Sequence, residues 1–307
     1  MIQVENLCRR YGSYTALDGI SFEARAGEVV GLLGPNGAGK TTTMRILTGF
    51  LPPTSGIARV AGYDVERESM IVRRSVGYLP ERMPLYPDMT TEGMVTFWAE
   101  MRGVRKARKA AQRALESVGL ADRRNSLVRN LSKGMKQRLG IAQALVHDPL
   151  VVILDEPTIG IDPAQVIEVR QMVRQMAGER TVLFSTHILT EAEQICDRMV
   201  ILNQGKVLAT GTTDELRQKI GVGRLLYVEI GRLAAAEAER ALKSVSGVKK
   251  VAVDGSGFVV QVGKGADMRY QISAAVGLAG GLVLELRPVN RTLEDVFLDL
   301  IGQGGAS

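Results

Sequence analysis

The run Gly34-Pro35-Asn36-Gly37-Ala38-Gly39-Lys40-Thr41-Thr42 decides how the rest of the chain is read. It follows an apolar segment, Val29-Val30-Gly31-Leu32-Leu33, and leads into Thr43-Met44-Arg45-Ile46-Leu47, which the pattern predicts as a helix. A strand, a loop of the form GxxxxGK[ST] and a helix, in that order, make a phosphate cradle. Glycines let successive backbone N–H groups turn inward on phosphate oxygens without Cβ clashes, and the new helix adds its positive end. Lys40 can reach the β- and γ-phosphates as a point charge, and Thr41 has a hydroxyl for Mg²⁺. A glycine-rich turn without chemistry could carry the same letters, but the strand before it and the helix after it argue against that reading.

Working outward, Val151-Val152-Ile153-Leu154 is an apolar strand that ends in Asp155-Glu156. Two acids at a strand end are often only solvated. Beside a phosphate loop they become the expected second half of a nucleotide site, Asp155 holding Mg²⁺ and Glu156 polarising the attacking water. The segment Asn130-Leu131-Ser132-Lys133-Gly134-Met135-Lys136-Gln137-Arg138 opens another helix. Ser132 and the first helical N–H groups form an anion-binding end there, or simply an ordinary helix cap.

Strand signals occupy residues 2–7, 14–23 and 57–60, predicting a small antiparallel sheet against the strand Glu28–Leu33, with Tyr11 in a loop. Ser75–Leu79, Thr181–Ser185 and Met199–Leu202 add further strands, and residues 90–147 read as helical with Phe97 and Trp98 in a core. A helix over Ala164–Ala177 separates two strands. Alternating strands and helices imply an α/β fold with a mostly parallel sheet and ligands at the carboxyl ends of its strands. After Gly221 the composition changes and no chemical motif appears. The order strand, helix, strand, strand, helix, strand over residues 225–286 is that of a ferredoxin-like α+β domain. A last helix, Thr292–Ile301, has Leu293, Val296, Phe297 and Leu300 on one face and is expected to dock.

With 307 residues there is material for two domains, and 45% hydrophobic with 23% charged residues is ordinary for a globular protein. The least polar stretch, Ile272–Leu284, is too short to span a bilayer, and Met1–Arg10 has no apolar signal region. Two cysteines, Cys8 and Cys196, give neither a disulfide framework nor a metal spacing and suit a reducing cytoplasm. Much of the net charge of +6 lies on Arg102, Arg105, Lys106, Arg108, Lys109 and Arg113. Alanines at helical spacing among them predict the solvated face of an amphipathic helix, ahead of a membrane-facing surface, and no nucleic-acid partner is expected.

Together these motifs resemble the ATP-binding-cassette (ABC) ATPase family. Besides the phosphate loop, the chain has Leu131-Ser132-Lys133-Gly134-Met135 where the family signature reads LSGGQ, and Leu154-Asp155-Glu156-Pro157. Gly160-Ile161-Asp162-Pro163 follows as the D-loop and Ser185-Thr186-His187 as the switch histidine, over a resemblance running from Met1 to about Leu216. It implies a P-loop NTPase cassette over residues 1–220: a RecA-like parallel sheet, an antiparallel β subdomain and a helical subdomain near residues 88–148. Residues 221–307 would form the accessory domain. Two cassettes, a homodimer or a pair of related chains, would face head to tail and share each ATP between one phosphate loop and the other chain's signature helix. Tyr11 would stack on adenine, the loop Gly34–Thr42 would hold the phosphates with Thr42 on the α-phosphate, and Ser132, Gly134 and Asp162 would complete the partner's site. His187 would contact the γ-phosphate and orient Glu156. The family's metal-contacting glutamine is Glu81 here, either a third Mg²⁺ ligand with Thr41 and Asp155 or a solvent-facing side chain paired with Arg82. The single cassette, the small C-terminal domain and the LSKGM variant look most like the ATPase of an ABC-2 type exporter, gliding-motility-like ones included, on the cytoplasmic face of the membrane beside a separate permease. A soluble non-transport cassette and an importer ATPase with a ligand-regulated C-terminal domain are the other readings.

Overall fold

The computed structural model describes residues 1–219, 225–263 and 267–289, which divide into two compact units, Met1–Thr213 and the chain from Asp214 on. The first unit begins with β1 (Ile2–Tyr11), β2 (Tyr14–Ala24), β3 (Val29–Leu33), α1 (Lys40–Leu47), β4 (Ser55–Val60), β5 (Tyr63–Asp64), α2 (Ser69–Ser75) and β6 (Val76–Leu79). There follow α3 (Thr91–Met101), α4 (Ala107–Ser117), α5 (Lys133–Leu145), β7 (Val151–Leu154), α6 (Pro163–Met176), β8 (Thr181–Thr186) and α7 (Leu189–Ile195). Strands β9 (Arg198–Asn203) and β10 (Lys206–Gly211) precede α8 (Thr213–Lys219).

A six-stranded sheet in the order β10-β9-β3-β8-β7-β6 forms the centre. Its neighbours from β9 to β6 are parallel, and only β10 runs antiparallel, hairpinned to β9. Every residue of β3, β7 and β8 is buried, which is why these segments are continuous apolar runs without alternation. Because the five strands are parallel, the loops after β3, β6, β7 and β8 all emerge at one edge. Gly34 is needed there: a Cβ would lie 2.4 Å from the carbonyl oxygen of Leu202 on β9.

The antiparallel sheet β2-β1-β4-β5 shares a core with the parallel one, built on Ile2, Leu7, Leu17, Val30, Leu32, Met44, Ile153 and Leu202 among others. Strand β1 continues through register shifts to Tyr11, which pairs with Tyr14; Tyr11 is therefore a strand end and not a loop residue. Ser75 belongs to α2, so β6 starts one residue later than expected. The aromatic pair of α3 also departs from expectation. Met94, Val95 and Ala99 are its buried apolar residues, while Phe97 is 36% exposed and meets Tyr86 and half-buried Trp98 edge-on, at 6.0 and 5.7 Å. The Phe97 face of α3 points away from its neighbours because α3 packs on α4 and α5 through the other side.

The second unit contains β11 (Leu225–Gly231), α9 (Ala235–Lys243), β12 (Val248–Asp254), β13 (Gly257–Val262), α10 (Arg269–Leu278) and β14 (Leu282–Val289). Its antiparallel sheet has the order β12-β13-β11-β14. Val228, Val260 and Val262 pack with Leu242 of α9 and with Ile272 and Val276 of α10 as a separate core. The segment Thr292–Ile301 lies outside the described residues. Among the described residues no helix is long and apolar enough to cross a membrane, and no cluster of His, Cys, Asp and Glu could hold a metal by itself.

Candidate functional site

The carboxyl ends of β3, β6 and β7 converge on two adjoining cavities. The larger, about 370 Å³, is lined by Tyr11, Tyr14, Pro35 through Thr42, Glu81, Glu156 and Ile159. The smaller, about 300 Å³, is lined by Thr41, Arg45, Tyr78, Glu81, Arg82 and Asp155. Thr41 and Glu81 border both.

The loop after β3 is shaped by backbone conformations that glycine adopts freely. Gly37 has φ 81° with open space where a Cβ would stand, and Gly39 has φ 105°. Gly39 is also the N-cap of α1; it has no side chain to satisfy the helix's first N–H groups, and the first turn carries no acid. Lys40, 6% exposed, donates from Nζ to the carbonyls of Gly34 (2.7 Å) and Pro35 (3.3 Å). The same ammonium lies 3.3 Å from Glu156 Oε1.

Glu156 has φ 50°, an uncommon conformation for a side-chain-bearing residue and one that concentrates at functional sites. Its backbone N–H donates to Ser185 Oγ (2.9 Å), and Ser185 Oγ–H donates to Asp155 Oδ1 (2.7 Å). The serine thus fixes both acids from the neighbouring strand. His187 Nδ1 lies 2.9 Å from Glu156 Oε2, so the carboxylate is held between an ammonium and an imidazole.

Asp155 is fully buried, and burial holds its pKa above the usual carboxylate range against the hydrogen bonds of Ser185 and Thr41; the charges of Glu156 and Glu81 push the same way. Its Oδ2 accepts no hydrogen bond among the described residues. A buried anionic oxygen without a donor, beside the Thr41 hydroxyl and the Glu81 carboxylate, is a donor set of hard oxygens that fits a small divalent cation. Burial and the Asp155 charge push Tyr78 up to about 12, so its phenol stays protonated beside the acids. Glu81 is exposed, and among the described residues no ion pair joins it to Arg82.

The structure thus brings together Tyr11, the loop Gly34–Thr42, Glu81, Asp155, Glu156 and His187. Tyr11 is 43% exposed at the cavity edge, with the Arg9 guanidinium 4.7 Å over its ring. Ser132, Gly134 and Asp162 line neither cavity. Ser132 is the exposed N-cap of α5, accepting from Met135 N at 3.2 Å, and Asp162 is the exposed N-cap of α6, accepting from Gln165 N at 3.0 Å. These two helix ends touch one another. Gln165 covers Gly134 so closely that a Cβ would lie 1.6 Å from its Oε1, and Lys133 extends over Gly160, whose Cβ would lie 2.1 Å from Nζ. Thr158 and Glu191 also belong to the site's framework and were not singled out from the sequence, and Ser185 was quoted only as the start of the switch-histidine motif. Directly after the apolar run Val182-Leu183-Phe184, Ser185 brings its hydroxyl to the carboxyl end of the strand.

A loop of this geometry, with a histidine after the adjacent parallel strand and an acid pair after the next, defines a P-loop nucleotide hydrolase. The sequence profile described as ABC transporter matches residues 17–159. The linearmycin resistance ATP-binding protein LnrL of Bacillus subtilis is 34% identical over 308 residues, covering 99% of both chains. The bacitracin transport ATP-binding protein BcrA of Bacillus licheniformis is 33% identical, covering 99% of this chain and 98% of its own. A Nod factor export ATP-binding protein of Ralstonia nicotianae is 36% identical, covering 99% and 94%. Among solved structures, an ATP-binding subunit of an ABC transporter superposes with a TM-score of 0.65 at 33% identity, over 72% of this chain and 93% of that one. The chain belongs to the ABC transporter ATP-binding family and is an ABC ATPase.

Proposed function

We propose that the chain is the ATP-hydrolysing subunit of an ABC-2 type exporter, closing on ATP with a second copy of itself or a related cassette. It would drive a separate membrane-spanning permease from the cytoplasmic face. The observation that carries the chemistry is the position of Glu156, with Oε1 3.3 Å from Lys40 Nζ and Oε2 2.9 Å from His187 Nδ1. On this reading the backbone amides of Gly37–Thr42 and Lys40 bind the phosphate chain, and Tyr11 stacks on the adenine. Glu156 takes the proton of the attacking water. His187 fixes the orientation of that carboxylate and contacts the γ-phosphate from the free edge of its ring. Thr41, Asp155 and Glu81 would hold Mg²⁺, which would supply positive charge to offset that of the transferring phosphoryl group. Glu81 in place of the family's glutamine adds a negative charge to that ligand set.

Ser132, Gly134 and Asp162 serve the nucleotide of the other chain. The exposure of Ser132 and Asp162, and the separation of all three from this chain's own cavities, support that role. The exporter reading draws on relatives named for transport and export over nearly their whole length. The C-terminal unit is, on this reading, a ferredoxin-like accessory domain, in keeping with its sheet order and two helices, and it carries none of the phosphate-handling residues.

The test is Glu156→Gln. The variant should bind ATP with near-normal affinity, hydrolyse it at least tens of times more slowly, and elute with ATP as a dimer on size-exclusion chromatography. Normal turnover, or a monomer at saturating ATP, would overturn the assignment.

A further inference from the structure

Glu191 is an ionisable side chain at 3% exposure that takes no part in the chemistry described above. A carboxylate so buried is costly unless it is partnered. Its partners are specific. Oε2 accepts from Thr158 Oγ1 at 2.7 Å and from Thr186 Oγ1 at 3.1 Å, and Oε1 lies 3.4 Å from Arg170 Nη2. Thr158 stands two residues beyond Glu156, and Thr186 immediately precedes His187. The Thr186 hydroxyl also accepts from the N–H of Ile188 at 3.0 Å, so the backbone on both sides of His187 is fixed.

The two loops that end in Glu156 and His187 therefore have two meeting points. One is the 2.9 Å contact between those side chains at the cavity. The other is the Glu191 carboxylate behind them, which receives one hydroxyl from each loop. Arg170 attaches α6 to the same carboxylate and also donates to Gln194 Oε1 at 2.5 Å. Thr158 and Thr186 are 6% and 0% exposed, so water cannot substitute for either bond without entering the core.

We propose that Glu191 is a positioning residue for hydrolysis: it holds the acid loop and the histidine loop in the register that brings Glu156 and His187 into contact. This rests on the reading of Glu156 and His187 as the hydrolytic pair. A shift of a few tenths of an ångström at either threonine changes that contact, and reaction rates are sensitive to displacements of this size. Nucleotide binding should be indifferent to it, since the phosphate loop on β3 forms no bond to Glu191.

The test uses the full-length protein and two substitutions, Thr158→Val and Glu191→Gln. Thr158→Val preserves shape and removes one bond; Glu191→Gln preserves shape and removes the charge. Both should lower kcat about five- to fiftyfold with ATP affinity within twofold of wild type. The double variant should be no slower than Glu191→Gln alone, because both changes cut the same connection. If Glu191→Gln fails to fold, Thr158→Val with Glu191→Asp decides on the same readouts. Folded variants with kcat within twofold of wild type would overturn the proposal, as would a parallel loss of affinity, kcat and thermal midpoint, which marks a merely structural group. Glu156→Gln is run alongside: if it hydrolyses ATP normally, the underlying reading fails. If it is inactive while Thr158→Val and Glu191→Gln are not, only the present proposal fails.

Discussion

Helices α1 and α5 both begin behind a loop that presents backbone N–H groups, yet they are finished in opposite ways. The N-cap of α1 is Gly39, with no side chain to accept from the first turn. The N-cap of α5 is Ser132, whose hydroxyl accepts from Met135 N at 3.2 Å. The first helix end is bare, walled by Lys40 and set in a cavity. The second is capped, exposed, and braced by Gln165 and Lys133 against the start of α6. A bare end needs an anion to satisfy it and binds by itself. A capped end already has one of those groups satisfied, and on the proposed reading it acts on phosphate that a second chain brings to it.

The largest expected effect breaks the bare end. Lys40→Met should weaken ATP binding by about ten- to a hundredfold, the loss of a charge-assisted hydrogen bond worth about 1.5–3 kcal/mol; equilibrium titration with a fluorescent nucleotide measures it. Affinity within threefold of wild type would mean that the amides alone hold the phosphates. Ser132→Ala tests the capped end. Removing the cap should cost about 1 kcal/mol of stability and lower turnover, with ATP affinity in dilute protein unchanged within twofold. A drop in single-chain affinity as large as that of Lys40→Met would erase the distinction between the two ends.

A smaller effect concerns the acid next to the bare end. Burial raises the pKa of Asp155, so its ionised form is less favourable folded than unfolded, and at neutral pH the charge costs stability. Asp155→Asn should therefore raise the thermal midpoint by about 2–4 °C, roughly 1 kcal/mol, while Mg²⁺-dependent turnover is lost. An unchanged or lowered midpoint in calorimetry would place the cost elsewhere.

The effect that is smallest at neutral pH lies beyond the other end of α5, where the half-buried His147 has Nε2 3.1 Å from the Val76 carbonyl. Burial, aided by the Arg102 charge, pushes its pKa down to about 4. The unfolded chain takes up the proton first, so the stability this site contributes is complete above about pH 6.5 and lost as the pH falls toward 4. Over that window His147→Gln should remove a slope of up to roughly 1.4 kcal/mol per pH unit from the denaturation free energy, without changing ATP affinity. Parallel curves for the two proteins would show that His147 titrates alike in both states.

Much of the fold was legible because the buried parallel strands β3, β7, β8 and β9 are short apolar runs bounded by turn signals, the pattern of strands covered on both faces. What was misread had a local cause. Strand β1 passes through Cys8-Arg9-Arg10, a polar stretch with register shifts, so its end at Tyr11 looked like a loop. Strand β10 is only partly buried and carries a weak signal. Phe97 looked like core because it is aromatic on a helix, but which face of α3 is covered depends on where α4 and α5 lie.

By itself the sequence determined the phosphate loop, the two acids, the signature segment and the histidine. Each is chemistry carried by residues a few positions apart, with spacing set by a single turn. Only the tertiary structure decided how those pieces meet. The parallel register that sets Leu154 against Phe184 also places Asp155 beside Ser185, a contact across 30 residues. The φ of 50° at Glu156 turns its carboxylate between Lys40 and His187, and no letter of the sequence announces it. Thr158, Thr186 and Glu191 converge for the same reason. Strand pairing and burial bring distant polar groups into one low-dielectric space, where each must find a partner.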